Sequence, residues 1–238
     1  MNHPSSSVKL RKSGDRGQGN HGWLQSKHTF SFAEYYDPGH MGFRSLRVIN
    51  QDRIKPGMGF PSHPHKDMEI FSYVLEGTLQ HNDSMGNGKS LEPGQIQLMS
   101  AGSGITHSEY NPSKTKELHF LQIWIEPSIN GLKPSYTEWH PKLGEIDEKT
   151  LVISKDGRDG AALIHQDVEI YKVQLAPGKS TNHQLTAGRG VWLQVITGSL
   201  IFNGITLDSG DGASLEESGN IHIQAKNEEV AALLFDLN

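Results

Sequence analysis

From Ser45 onward the chain keeps one rhythm: short runs rich in Val, Ile, Leu, Phe and Tyr alternate with clusters of Gly, Pro, Asn and Asp. The first runs fall at 46–50, 70–75, 77–81, 95–99 and 118–125. Branched and aromatic side chains suit a pleated strand, whereas Gly, Pro, Asn and Asp suit the backbone angles of turns. Short strands at this spacing predict a sandwich or barrel rather than alternating strands and helices. Residues 83–88 read as a hairpin turn in which Asn87-Gly88 supplies the positive φ angles, and Pro93-Gly94 reads as a further turn.

The rhythm breaks between Pro127 and Gly144, where Pro127, Pro134 and Pro141 fall among charged residues without sustained periodicity. It resumes at 150–154, 161–165, 168–175, 191–196, 199–202, 213–215, 221–225 and 230–235. The expected organisation is an N-terminal domain over 1–130, a linker over 131–144 and a C-terminal domain over 145–238. The halves repeat each other coarsely. Lys55-Pro56-Gly57 corresponds to Ala176-Pro177-Gly178, Tyr73-Val74-Leu75-Glu76-Gly77 to Gln194-Val195-Ile196-Thr197-Gly198, and Leu91-Glu92-Pro93-Gly94 to Leu207-Asp208-Ser209-Gly210.

Composition removes several functional classes. A net charge of -5 and the lack of any Lys/Arg run argue against nucleic acid or an anionic membrane as a partner. The chain has no cysteine, which excludes disulfides, a thiolate nucleophile and a cysteine-based zinc or iron–sulfur site. The N-terminus lacks the apolar stretch of a signal peptide, and the longest apolar run, 230–235, is too short to cross a bilayer. A cytoplasmic protein is the expectation, and a monomer suits two barrels packed together. Gly17-Gln18-Gly19-Asn20-His21-Gly22 matches a dinucleotide-binding pattern, but it lacks the preceding buried strand and following helix that the pattern needs.

Chemistry concentrates in two places. His63-Pro64-His65, with Glu69 nearby, is answered some forty residues later by His107-Ser108-Glu109. In a strand, residues i and i+2 share a face about 6.6 Å apart, so each pair can converge on one ion. Two such pairs on neighbouring strands supply four ligands and leave positions for a small molecule and dioxygen. In the second half His183 stands alone, with Leu185 two residues on, so the scaffold is kept and the chemistry lost. The remaining histidines have no such partner, and His81, His119, His140, His165 and His222 read as ordinary strand or turn residues.

These stretches resemble the cupins, and more closely the pirin family with its bacterial quercetin 2,3-dioxygenase-like members. The resemblance rests on Phe60-Pro61-Ser62-His63-Pro64-His65, Glu69 and Gly77, then Gly104-Ile105-Thr106-His107, Glu109, Asn111 and the Leu121-Gln122-Ile123-Trp124 strand. It implies an all-β bicupin of two antiparallel jelly-roll barrels, the first holding metal and the second without it. It also implies that the carboxylate ligand comes from Glu109. Glu69 falls four residues after His65, where a one-residue shift along a strand turns a side chain to the opposite face. The implied ligands are therefore His63, His65, His107 and Glu109, with Glu69 a supporting neighbour at most.

Such a ligand set suits Fe, Mn, Ni, Co, Cu or Zn, and the resemblance implies Fe(II) first. The implied reaction opens the central ring of a flavonol such as quercetin with dioxygen and releases carbon monoxide. Glu109 is then the general base as well as a ligand, while Phe60 and Gln122 match substrate-pocket positions. The alternative is a metal-bearing, redox-sensing regulator that binds a protein partner.

Overall fold

The structure is a computed structural model that describes residues 8–141 and 149–238. Its described residues are almost all strand and turn, and no helix is long and apolar enough to cross a membrane. In chain order the strands are β1 (Lys9–Arg11), β2 (Gly17–Asn20), β3 (Leu24–His28), β4 (Leu46–Ile54), β5 (Gly59–His65), β6 (Glu69–Glu76), β7 (Leu79–Asp83) and β8 (Gly88–Leu91). They continue as β9 (Ile96–Ser100), β10 (Ile105–Tyr110), β11 (Leu118–Ile125), β12 (Ser135–Trp139), β13 (Lys149–Ser154), β14 (Ala162–Leu163) and β15 (Val168–Leu175). The last are β16 (Ser180–Leu185), β17 (Gly190–Thr197), β18 (Leu200–Phe202), β19 (Ile205–Leu207), β20 (Gly212–Leu215), β21 (Gly219–Ala225) and β22 (Val230–Leu237).

The chain forms two compact units, one of residues 17–143 and 155–167, the other of 1–16, 144–154 and 168–238. In the first, a seven-stranded sheet ordered β12-β9-β6-β11-β4-β3-β2 faces a four-stranded sheet ordered β5-β10-β7-β8. Leu24, Ile54, Val74, Leu118 and Phe120 from the larger sheet pack against Leu79 and Leu91 from the smaller. The second unit repeats the plan, with β1-β20-β17-β22-β15-β13 against β16-β21-β18-β19. Its core includes Leu193, Phe202, Ile221, Ile223 and Leu234. Facing antiparallel sheets of this kind are the jelly-roll arrangement that the resemblance to the cupins implies.

The units divide the chain differently from a single cut at 131–144. Leu10 pairs with Ala213, and Asp211 accepts hydrogen bonds from Lys12 Nζ at 2.8 Å and Ser13 N at 2.7 Å, so the first strand extends the sheet of the second unit. Ser135–Trp139, expected within the linker, is a strand on the edge of the first unit, where Tyr136 pairs with Met99 and Trp139 is buried beside Ile96. Residues 142–144 of the expected linker lie outside the described residues. Residues 155–167 return to the first unit, where the buried Glu69 accepts from Ser100 Oγ at 2.7 Å and lies 3.4 Å from His165 Nδ1.

Two turns show the local chemistry. In the β7–β8 hairpin the positive φ falls at Gly86 rather than at the expected Asn87-Gly88, because Asp83 accepts the Met85 and Asn87 amides and sets the turn itself. Gly77 and Gly198 both adopt φ near +80°, and a Cβ there would press on the Glu117 and Glu229 carbonyls at 2.7 and 2.4 Å. The sequence repeat is thus a structural one. Gly17–Asn20 is an edge strand followed by another strand, which disposes of the dinucleotide reading.

Candidate metal centre

β5 is an edge strand, which is why it tolerates Pro61 and Pro64, neither of which can donate to a ladder. Its pairing with β10 runs Tyr110 to Gly59 and Glu109 to Phe60, then shifts by one residue so that His107 faces His63 and Ile105 faces His65. Without that bulge Ser62 would oppose His107 and His63 would turn outward. The bulge therefore brings His63 and His65 to the inner face, where β10 already aims Ile105, His107 and Glu109 in strict alternation.

The side chains fall into two overlapping groups, with ligand atoms inside each lying within 4.8 Å of one another: His63, His65 and His107, and His81, His107 and Glu109. His63 Nδ1 donates to the Pro61 carbonyl at 2.8 Å, which leaves its Nε2 with a lone pair facing His107 Nε2 at 3.1 Å. Two imidazole nitrogens that close are favourable only with a proton or a cation between them. Burial and then the neighbouring imidazoles push the pKa of both His65 and His107 down to about 3. Both rings are therefore kept neutral, and neutral imidazole is the form that binds a metal. The arrangement fits a divalent cation, and 3.1 Å suits two ligands of one ion at metal–nitrogen bonds of about 2.0–2.1 Å.

Glu109 is fully buried, accepting Ser72 Oγ at 2.8 Å on one oxygen and Gln122 Nε2 at 2.6 Å on the other. Burial pushes its pKa up, against the two bonds and the nearby imidazoles. Glu109 groups with His81 and His107 rather than with His63 and His65. His81, read from sequence as ordinary, is fully buried opposite Glu109, and Gln97 Nε2 donates to its Nδ1 at 2.7 Å.

The partners of Glu109 belong to a polar rung that crosses the larger sheet. Gln97, Ser72, Gln122, Asn50 and His28 are successive cross-strand neighbours on β9, β6, β11, β4 and β3, and all five are buried. Sequence reasoning found Gln122 and missed Ser72, Gln97 and His81. The available signal was a polar residue at an inward position of an apolar run, as in Ile70-Phe71-Ser72-Tyr73-Val74 and Ile96-Gln97-Leu98.

A cavity of about 500 Å³ opens beside the imidazoles. Trp23, Phe32, Phe60 and Trp124 form its aromatic walls, with His63 and His65 at one side. Phe60 meets Trp23 edge-on at 5.3 Å, and Trp124 meets His65 edge-on at 4.9 Å. Gln122 also lines the cavity, but its amide nitrogen is engaged by Glu109. Asp52, in the same wall, accepts a short hydrogen bond from Ser26, and burial raises its pKa to about 7 against that bond, with the Glu109 charge adding to the rise.

Known proteins share both halves. A pirin family model matches residues 9–125, and a model of the quercetinase C-terminal cupin domain matches 151–237. The chain is 50% identical over 232 residues to a quercetin 2,3-dioxygenase from Escherichia coli K12, covering 97% of this chain and 98% of the relative. It is 41% identical to a putative quercetin 2,3-dioxygenase from Pasteurella multocida, covering 97% and 99%. Among solved structures, a bacterial pirin from Escherichia coli in complex with nickel(II) superposes with a TM-score of 0.92 at 50% identity, covering 97% of this chain and 98% of that one.

Proposed function

The chain belongs to the pirin family, and from that premise we propose that it is a metal-dependent dioxygenase that opens the central ring of flavonols such as quercetin with dioxygen and releases carbon monoxide. The observation that carries the reading is the facing Nε2 atoms of His63 and His107, 3.1 Å apart beside an aromatic-walled cavity. The names of the similar proteins from Escherichia coli and Pasteurella multocida support the substrate class.

His63, His65, His107 and Glu109 would hold one divalent ion, Fe(II) first, with Mn, Ni, Co, Cu or Zn as alternatives. Bound there, the ion would supply Lewis acidity for a deprotonated enol and the electron-transfer chemistry that dioxygen requires. The chain's own part is positional and protonic. Trp23, Phe32, Phe60 and Trp124 present flat apolar faces that stack an aromatic ring and keep water from it. Glu109 would take the 3-hydroxyl proton on the oxygen that the ion does not engage, which keeps a second lone pair beyond its bond from Ser72 or Gln122. Those two donors hold the carboxyl in one orientation while it does so.

The test is incubation of Fe(II)-loaded protein with quercetin under air and under nitrogen. The expected result is oxygen-dependent loss of the flavonol absorbance with carbon monoxide in the headspace. Metal-loaded protein that leaves quercetin unchanged under air would overturn the assignment.

A further inference from the structure

The cavity has a second polar face that this chemistry does not use. Ser26 and His28 on β3, with Asn50 and Asp52 on β4, are buried and line it. Register pairs His28 with Asn50 and Ser26 with Asp52, so the four side chains form a two-by-two block on the inner face of the sheet. His28 Nδ1 donates to Asn50 Oδ1 at 2.8 Å and lies 3.4 Å from Ser26 Oγ, while the Ser26 hydroxyl donates to Asp52 Oδ1. The block is internally oriented, yet Ser26 is the one hydrogen-bond donor to Asp52 among the described residues. Buried carboxyls ordinarily take more, because each oxygen accepts two bonds.

Its position relative to Gln122, which holds Glu109, is fixed by strand spacing. Asn50 is the cross-strand neighbour of Gln122, so the block begins one strand away from the residue that holds Glu109 and ends two strands away, about 5–10 Å. That distance is of the order of a fused aromatic ring system, and aromatic walls lie beside it. A hydroxyl-bearing ring anchored at the imidazoles would place its far substituents against Asp52.

We propose that the Asp52–Ser26–His28–Asn50 block is a second polar subsite, in which Asp52 accepts a phenolic hydroxyl of the substrate and so selects polyhydroxylated aromatic enols over bare ones. The inference rests on reading the cavity as the pocket of a flavonol-like enol and adds the recognition of its ring substituents. Selection of this kind is strong because an analogue without the hydroxyl leaves a buried acceptor unpaired.

Quercetin and 3-hydroxyflavone share the 3-hydroxyl, and only quercetin carries further hydroxyls on its outer rings. Binding of each to nickel(II)-loaded protein under nitrogen is followed by quenching of tryptophan fluorescence, since Trp23 and Trp124 line the cavity. The wild type is expected to prefer quercetin by about tenfold or more, and Asp52→Ala to lose about tenfold for quercetin, ~1.4 kcal/mol, while 3-hydroxyflavone stays within about twofold. Asp52→Asn keeps the shape and an acceptor oxygen, so it is expected to fold if alanine does not and to lose about threefold for quercetin alone. Folded variants that keep the wild-type preference, or that weaken both ligands equally, overturn the subsite and leave the flavonol pocket standing. Failure of the wild type to bind either flavonol overturns both.

Discussion

His63 and His183 occupy the same place in two copies of one scaffold. His63 lies across from His107 on β10, and His183 lies across from Ile221 on β21. Following the registers outward, His65 corresponds to Leu185, Glu109 to Ile223 and His81 to Phe202. The polar rung Gln97–Ser72–Gln122–Asn50 corresponds to Ala213–Leu193–Leu234–Tyr171. The second unit has replaced almost every inward polar group by an apolar one, and Ile221, Ile223, Phe202, Leu193 and Leu234 now form its core. His183 survives because it found another use, with its Nε2 2.8 Å from the Asp236 carboxylate, which Arg189 also contacts. A motif histidine is therefore no metal site by itself. What separates the units is the second strand and the rung behind it.

The comparison can be broken by exchanging residues between the units. The largest effect is expected when His65→Leu and His107→Ile install the second unit's residues. Metal affinity should fall by more than ~100-fold, beyond the 10–100-fold typical of losing an outer partner of a ligand. The melting temperature of the metal-free protein should hold or rise, since apolar groups replace buried imidazoles, and elemental analysis with thermal melts reads both. Next comes Phe202→Ala, which opens a cavity in the second unit's core and should cost roughly 3–5 kcal/mol in urea unfolding. Metal content per folded chain should not change.

Gln122→Leu sharpens the comparison more finely. It installs the residue type of Leu234 and leaves Glu109 one donor short, so affinity in a competitive chelator titration should fall roughly 10–100-fold while the fold persists. The smallest effect is a pH dependence. Asp52 has its pKa raised from 3.8 to about 7, so the folded state holds its proton more tightly than the unfolded state does. Its contribution to stability is complete below the unfolded pKa and is lost as pH rises through about 7. Metal-free Asp52→Asn should therefore gain on the wild type by roughly 1–3 kcal/mol at pH 8, and the gain should shrink toward pH 4.

The same contrast explains what could be read from the chain alone. Strand rhythm, turn residues and the Gly77/Gly198 repeat are local, and they predicted two β-barrels, which the resemblance to the cupins made jelly rolls and the structure bears out. The His-x-His and His-x-Glu pairs were legible because i, i+2 spacing is local as well, although the bulge that turns His63 inward is not. His81, Ser72 and Gln97 each stand alone in the sequence and become a site only through cross-strand pairing. Glu69, close to the histidines in sequence, binds Ser100 and lies beside His165 instead, as strand parity suggested. The edge position of Lys9–Arg11 in the second unit depends on pairing some two hundred residues away, which no local pattern carries.

The two equivalent histidines give the most direct measurement. Divalent metal per chain is determined by elemental analysis for the wild type, His63→Ala and His183→Ala, each loaded and desalted identically. The prediction is one ion per chain in the wild type and in His183→Ala, and none in His63→Ala. Metal retained in His63→Ala, or lost in His183→Ala, would contradict the assignment of the site to the first unit.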